Sequence, residues 1–180
     1  MSNALAVHSL SSLDTDIVID LGCISWQRDG WVEDSIETLV KRFAPTVLYG
    51  FDPHPALKDG VGPVHGTAVL TARRAAWTFD GEMGLELQGN CTHVDESVKE
   101  TVACFDLATW IAALPEGNIV LKLDVEGAEY VLLPHLIERG VMGRIGRLLV
   151  EWHTEPTANG YETDRASIVS GIQCPIEEWK

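Results

Sequence analysis

Short apolar runs that end in acidic tips, alternating with helical stretches, set the rhythm of this chain. Residues 16–21 (Asp-Ile-Val-Ile-Asp-Leu) form a β-branched run that meets Gly22, the pattern of a buried parallel strand entering a glycine turn. From Val32 the apolar positions Val32, Ile36, Leu39 and Phe43 recur at helical spacing. Glu33, Asp34 and Glu37 lie early and Lys41 and Arg42 late, so period and charge together predict a helix over 32–43. Pro45 stops it, and residues 46–51 predict a second buried strand closed by Asp52-Pro53-His54-Pro55. Glycines and prolines over 59–66 predict a loop. Residues 69–79 read as extended and Asp80-Gly81 as a hairpin turn into 83–87, so a β-meander is expected here. Residues 90–100 are polar and read as a surface loop, followed by a short strand over 101–105.

Asp106 suits the cap of a helix whose Leu107, Trp110, Ile111 and Leu114 share one face, with Trp110 in the core and Pro115-Glu116-Gly117 as the stop. A strand over 118–123 then leads into Asp124-Val125-Glu126-Gly127 and a helix over 128–139. Pro134 requires that helix to kink, or to restart with the proline in its first turn. Residues 147–152 form a last apolar strand, with Glu151-Trp152-His153 at its end. Alternating strands and helices predict an α/β fold. We expect a single domain over 1–180 built on one doubly wound, mostly parallel sheet with helices on both faces, right-handed crossovers and a β-meander insertion.

Composition narrows the partners. Over 180 residues, 46% are apolar, enough for a sizeable core. Lys and Arg total 13 against 27 Asp and Glu, a field that repels a phosphate backbone, so no nucleic-acid partner is expected. No run approaches the ~20 consecutive apolar residues of a membrane helix, and the N-terminus has no basic and apolar leader pattern, so a soluble, cytoplasmic protein without a membrane partner is expected. The four cysteines show neither a CxxC pair nor zinc-ligand spacing with histidine, and are expected to be reduced thiols.

Three apolar strands therefore end in Asp20-Leu21-Gly22, Asp52-Pro53 and Asp124-Val125-Glu126, with Glu151-Trp152-His153 as a fourth polar tip. In an open α/β sheet such tips line the ligand crevice. A glycine turn after the first strand admits close backbone approach, and a carboxylate at the end of the second can accept both hydroxyls of a ribose. Asp20 and Asp52 also suit bonding to turn backbone, but their placement at consecutive strand ends favours ligand contact. The Gly-x-Gly-x-x-Gly fingerprint is absent, since Gly22-Cys-Ile-Ser-Trp-Gln27 holds one glycine, so a mononucleoside cofactor fits better than NAD. Glu126 and Glu129 stand at a helix start, where acids complement the macrodipole.

With these motifs the chain resembles the FkbM-type S-adenosylmethionine-dependent methyltransferases, Rossmann-like enzymes of class I associated mostly with O-methylation. The resemblance rests on Val18-Ile-Asp-Leu-Gly22, Gly50-Phe-Asp-Pro53, Ala75-Ala-Trp-Thr-Phe-Asp-Gly81, Leu149-Val-Glu-Trp-His153 and, above all, Lys122-Leu-Asp-Val-Glu-Gly-Ala-Glu129. It spans residues 16–153. One departure is that family members carry a second glycine near Ser25 or Trp26, and this chain does not.

The resemblance implies that Asp20, Gly22 and Cys23 border the methionine moiety of the cofactor, that Asp52 holds its ribose, and that Pro53, Ala76 and Trp77 flank the adenine. Asp124 would face the amino-acid portion or the methyl group, and His153 or Glu151 the acceptor, a small molecule or sugar. The sulfonium is already activated, so positioning dominates, and a base is needed only for a hydroxyl acceptor. His153, with an ordinary pKa of roughly 6.5, is the candidate base, and Asp124 and Glu126 are alternatives. A metal-free site is expected, although Asp124, Glu126 and Glu129 offer hard oxygen ligands for a divalent cation. Two rival readings are a non-catalytic domain that binds a ligand or partner and a nucleoside-binding enzyme of other chemistry.

Overall fold

The computed structural model describes residues 15–28, 31–88, 91–94, 100–153 and 165–180, with backbone alone for 26–28, 31–33, 86–88 and 91–94. In chain order its elements are β1 (Ile17–Leu21), β2 (Trp26–Arg28), β3 (Trp31–Glu33), α1 (Ser35–Phe43), β4 (Val47–Phe51), β5 (Gly60–Val64), β6 (Thr67–Ala72), β7 (Ala75–Trp77) and β8 (Gly81–Gln88). There follow β9 (Cys91–Val94), β10 (Thr101–Asp106), α2 (Leu107–Ala113), β11 (Ile119–Leu123), α3 (Glu129–Glu138), a 3-10 turn at Met142–Arg144, β12 (Ile145–Val150), α4 (Arg165–Ser170) and β13 (Ile176–Glu178).

The centre is a seven-stranded sheet in the order β13-β12-β11-β1-β4-β6-β5, parallel throughout except for the edge strand β5. From β1 the parallel strands step outward through β4 to β6. The chain then returns to the other side of β1 to lay down β11, β12 and β13. The direction of winding thus reverses between β1 and β11, where two adjacent strand ends leave a crevice. All five residues of β1 and of β11 are buried because both faces of the sheet are covered. Ile17, Ile19 and Leu21 pack with Leu107 and Ile111 of α2, Leu132, Leu133 and Leu136 of α3, and Ile168 of α4. Val18, Leu48 and Val120 meet Leu39 and Val40 of α1 on the opposite face.

Local chemistry moves several predicted boundaries. Residues 31–33 belong to a β2–β3 hairpin, and α1 begins only after Asp34, whose carboxylate accepts from Glu37 N at 2.9 Å. The stretch over 60–64, expected as loop, is strand β5. His65 and Gly66 both take positive φ, 46° and 90°, and close a two-residue hairpin onto β6, while Pro63 is tolerated because β5 is an edge. Asp80-Gly81 does not join a hairpin. Strand β10 inserts between its neighbours, with Cys104 opposite both Ala75 of β7 in parallel and Gly81 of β8 in antiparallel register. Asp80 instead accepts from Asp106 N at 3.2 Å. The meander is thus a separate four-stranded sheet, β7-β10-β8-β9, and part of the expected 90–100 loop is β9. Helix α3 runs through Pro134, which stands well past the first turn, so of the two expectations for this proline the restart does not occur. Among the described residues no helix is long and apolar enough to cross a membrane.

Candidate functional site at the carboxyl ends of β1, β4, β11 and β12

The sheet order brings the tips of β4, β1, β11 and β12 side by side, as the strand pattern anticipates. Gly22 turns at φ +80°, and a Cβ there would lie 1.8 Å from the carbonyl oxygen of Asp124. The glycine is therefore demanded by backbone meeting backbone, β1 loop against β11 tip, and this is a closer constraint than the ligand approach expected for it. Gly22 N donates to Phe51 O at 2.9 Å and Asp124 N to Leu21 O at 3.1 Å, which locks three tips together.

Lys122 lies at the centre of this junction. Its side chain is fully buried on β11, yet Nζ donates to Gly22 O at 2.8 Å and Leu21 O at 3.3 Å and pairs with Asp20 Oδ1 at 3.1 Å and Asp124 Oδ2 at 3.3 Å. Burial opposes its charge, but the two carboxylates outweigh burial and hold its pKa above the ordinary lysine value. In the sequence Lys122 stands out only as part of a motif. The signal was nonetheless present: a lysine between Leu121 and Leu123, in a strand reading as buried on both faces, must find carboxylates.

The expected cofactor residues differ in what surrounds them. Asp20 is wholly buried, accepts from Ser35 Oγ at 2.6 Å and faces Lys122, so its carboxylate positions the lysine rather than lining open crevice. Cys23 is also buried, against Gly50, whose added Cβ would meet Sγ at 2.9 Å. Burial, then Asp20 and Asp52, push its thiol pKa far up. Asp52 accepts from Ile24 N at 3.2 Å through Oδ2 and from His54 N at 2.8 Å through Oδ1. Its pKa is raised because desolvation exceeds these two bonds. Pro53 presents its carbonyl to Arg73 Nε at 3.1 Å, and His54 is a turn residue whose Nδ1 accepts from Ala56 N. Trp77 is buried in a second core with Met83, Leu85 and Val102, which makes it packing rather than an adenine wall, and Ala76 packs half-buried against the main core. Trp110 meets Tyr49, Phe51 and Phe105 ring to ring at 5.1, 5.2 and 5.7 Å, the core role expected of it. The side chain of Trp26 falls outside the described residues.

At the β11 and β12 ends the acids gather around His153. Its Nδ1 lies 3.0 Å from Glu129 Oε1, and its Nε2 lies 3.4 Å from Glu126 Oε2 and 3.8 Å from Asp124 Oδ1. Glu126 adopts φ +52°, left-handed backbone that costs a side-chain residue about 1–2 kcal/mol, and Gly127 follows at +97°. Glu129 is fully buried at the start of α3, and its Oε1 also accepts from Val125 N at 3.0 Å. It therefore tethers the preceding turn and orients the imidazole, more than the macrodipole role expected of it. Burial alone would lower the pKa of His153, but Glu129, Glu126 and Asp124 together raise it to about 9. The expectation of a base with an ordinary imidazole pKa is corrected, because these acids favour the protonated form of the ring. Glu151, half-buried, donates its backbone N–H to Leu123 O at 2.9 Å and so pins the β12 tip to β11.

Comparison with family models, curated proteins and solved structures finds no match to this chain.

Proposed function

We propose that the chain is an S-adenosylmethionine-dependent methyltransferase of FkbM type that methylates an oxygen of a small molecule or sugar. The observation that carries this reading is the meeting of Asp52, the Gly22 loop and Asp124 at the point where the sheet reverses its winding. The parallel strands follow the order of a Rossmann-like nucleotide fold, and the single loop glycine suits a nucleoside without a pyrophosphate.

The donor set fits the cofactor at one testable place. Each oxygen of Asp52 accepts one backbone N–H and retains a second lone pair, so the carboxylate can take the two ribose hydroxyls as a pair while the turn holds it still. The bound cofactor would supply an activated methyl group on a sulfonium. The chain's own residues then have to orient the acceptor. Asp124 keeps Oδ2 on Lys122 and turns Oδ1 toward His153 at the edge of the crevice, which would fix where the acceptor lies beside the cofactor. His153, held through Nδ1 by Glu129, keeps the surrounding acids in register.

Calorimetric titration with S-adenosylmethionine and with its demethylated product tests the reading. Saturable binding is expected, and Asp52→Ala should weaken it at least about tenfold by leaving the hydroxyls unpartnered. No binding at about millimolar ligand would overturn the enzyme reading and favour a partner-binding module.

A further inference from the structure

Asp124, Glu126 and His153 each present one ligand atom within 4.8 Å of the others at the carboxyl edge of the sheet. We propose that these three side chains hold a divalent cation of the Mn2+ class, with Glu129 fixing the imidazole from behind and an oxygen donor in the crevice completing the shell. This replaces the metal-free expectation, and it departs from a ligand set of Asp124, Glu126 and Glu129, because Glu129 is bonded to the Nδ1 side of the histidine and is not among the three gathered side chains.

Three independent features converge on a cation. The first is orientation. With Nδ1 committed to Glu129 at 3.0 Å, Nε2 is the atom turned toward Glu126 and Asp124, the carboxylate–histidine arrangement that stands behind metal-binding imidazoles. The second is spacing. At 3.4 and 3.8 Å, Nε2 is beyond good hydrogen-bond distance of either acid. Ligand atoms bound at about 2.1 Å with angles of roughly 90–110° lie roughly 3.0–3.4 Å apart, so a bridging ion needs only small movements here. Asp124 contributes a different oxygen from the one Lys122 occupies.

The third feature is charge. The connected set Asp20, Lys122, Asp124, His153, Glu126 and Glu129 holds four carboxylates against one lysine and one histidine. Glu129 is fully buried, and its Oε2 has no hydrogen-bond partner within the described residues. A doubly charged ion offsets the excess that a buried acid otherwise has to bear. Two carboxylates and one imidazole suit Mn2+ better than a thiolate-seeking metal. The cation site rests on these side chains alone, so failure of S-adenosylmethionine to bind would leave it standing.

The test is Mn2+ titration of the full chain after treatment with chelator, followed by electron paramagnetic resonance and calorimetry. One saturable equivalent is expected above the diffuse uptake of an acidic surface. Glu126→Gln and His153→Gln should each weaken it at least about tenfold, and Glu129→Gln about 10–100-fold, with unchanged circular dichroism. In the unaltered chain, one equivalent of Mn2+ should broaden the His153 imidazole resonances before those of His54 and His65. Absence of a saturable equivalent below about 1 mM, variants that titrate like the parent, or unbroadened His153 resonances would each overturn the site.

Discussion

Replacing Lys122 by methionine should cost more stability than any other single change at the crevice. The substitution keeps the length and bulk of the side chain and removes only the charge and its donors, so the core of β11 stays filled. What it strands is specific. Asp20 is fully buried, its Oδ1 has Lys122 as its ion-pair partner at 3.1 Å, and the carbonyls of Gly22 and Leu21 lose a donor each. Breaking a buried pair from one side costs about 3–5 kcal/mol, and for a domain of this size each kcal/mol lowers Tm by about 2–4 °C, so a fall of roughly 6–20 °C is expected. Asp124 contributes little to this loss because its side chain is 24% exposed and water can solvate it. The assay is urea unfolding followed by far-ultraviolet circular dichroism, run beside the double variant Asp20→Asn/Lys122→Met. Removing both charges should restore about 1–3 kcal/mol relative to the single variant, since the amide oxygen of the introduced asparagine can still accept from Ser35 Oγ. Lys122→Met within about 1 kcal/mol of the parent, or a double variant no more stable than the single, would refute the claim that this pair holds the strand tips together.

Two further outcomes follow from the same geometry. Gly22→Ala adds a Cβ 1.8 Å from Asp124 O in left-handed backbone, so about 2–4 kcal/mol should be lost in the same urea assay, and a neutral result would mean that the β1 loop does not pack on β11. For Asp106, burial alone would raise the pKa, but hydrogen bonds from His135 and Thr109 lower it to about 2. Its contribution is therefore present above the ordinary value near 4 and is lost as pH falls through 2. Asp106→Asn should flatten the acid limb of a stability–pH profile measured between pH 6 and 2, whereas an unchanged limb would remove this helix cap from the account.

Residues whose meaning is carried by near neighbours in the chain are legible in the sequence. Asp106 caps α2 within three residues of itself, and the apolar runs of β1 and β11 announce strands buried on both faces. Partners remote in sequence are not. The β10 insertion that undoes the expected Asp80-Gly81 hairpin depends on a pairing some twenty residues away, and strand pairing carries little sequence signature beyond alternation. Trp77 looks like a ligand wall from its motif and proves to be core, because burial is settled by what packs on a residue.

The pattern of apolar runs and acidic tips is sufficient by itself for the alternating α/β order, a mostly parallel sheet and the edge along which Asp52, Asp124 and His153 lie. Those features follow from local periodicity and from the polar groups that end each buried run. Only the tertiary structure decided which acids face one another. It committed Asp20 to Lys122, turned Glu129 behind His153, raised the imidazole pKa to about 9 and drew Asp124 and Glu126 to the other ring nitrogen. Charge interactions decay with distance in space and not along the chain, so the chemistry of this edge exists only once the strands are side by side.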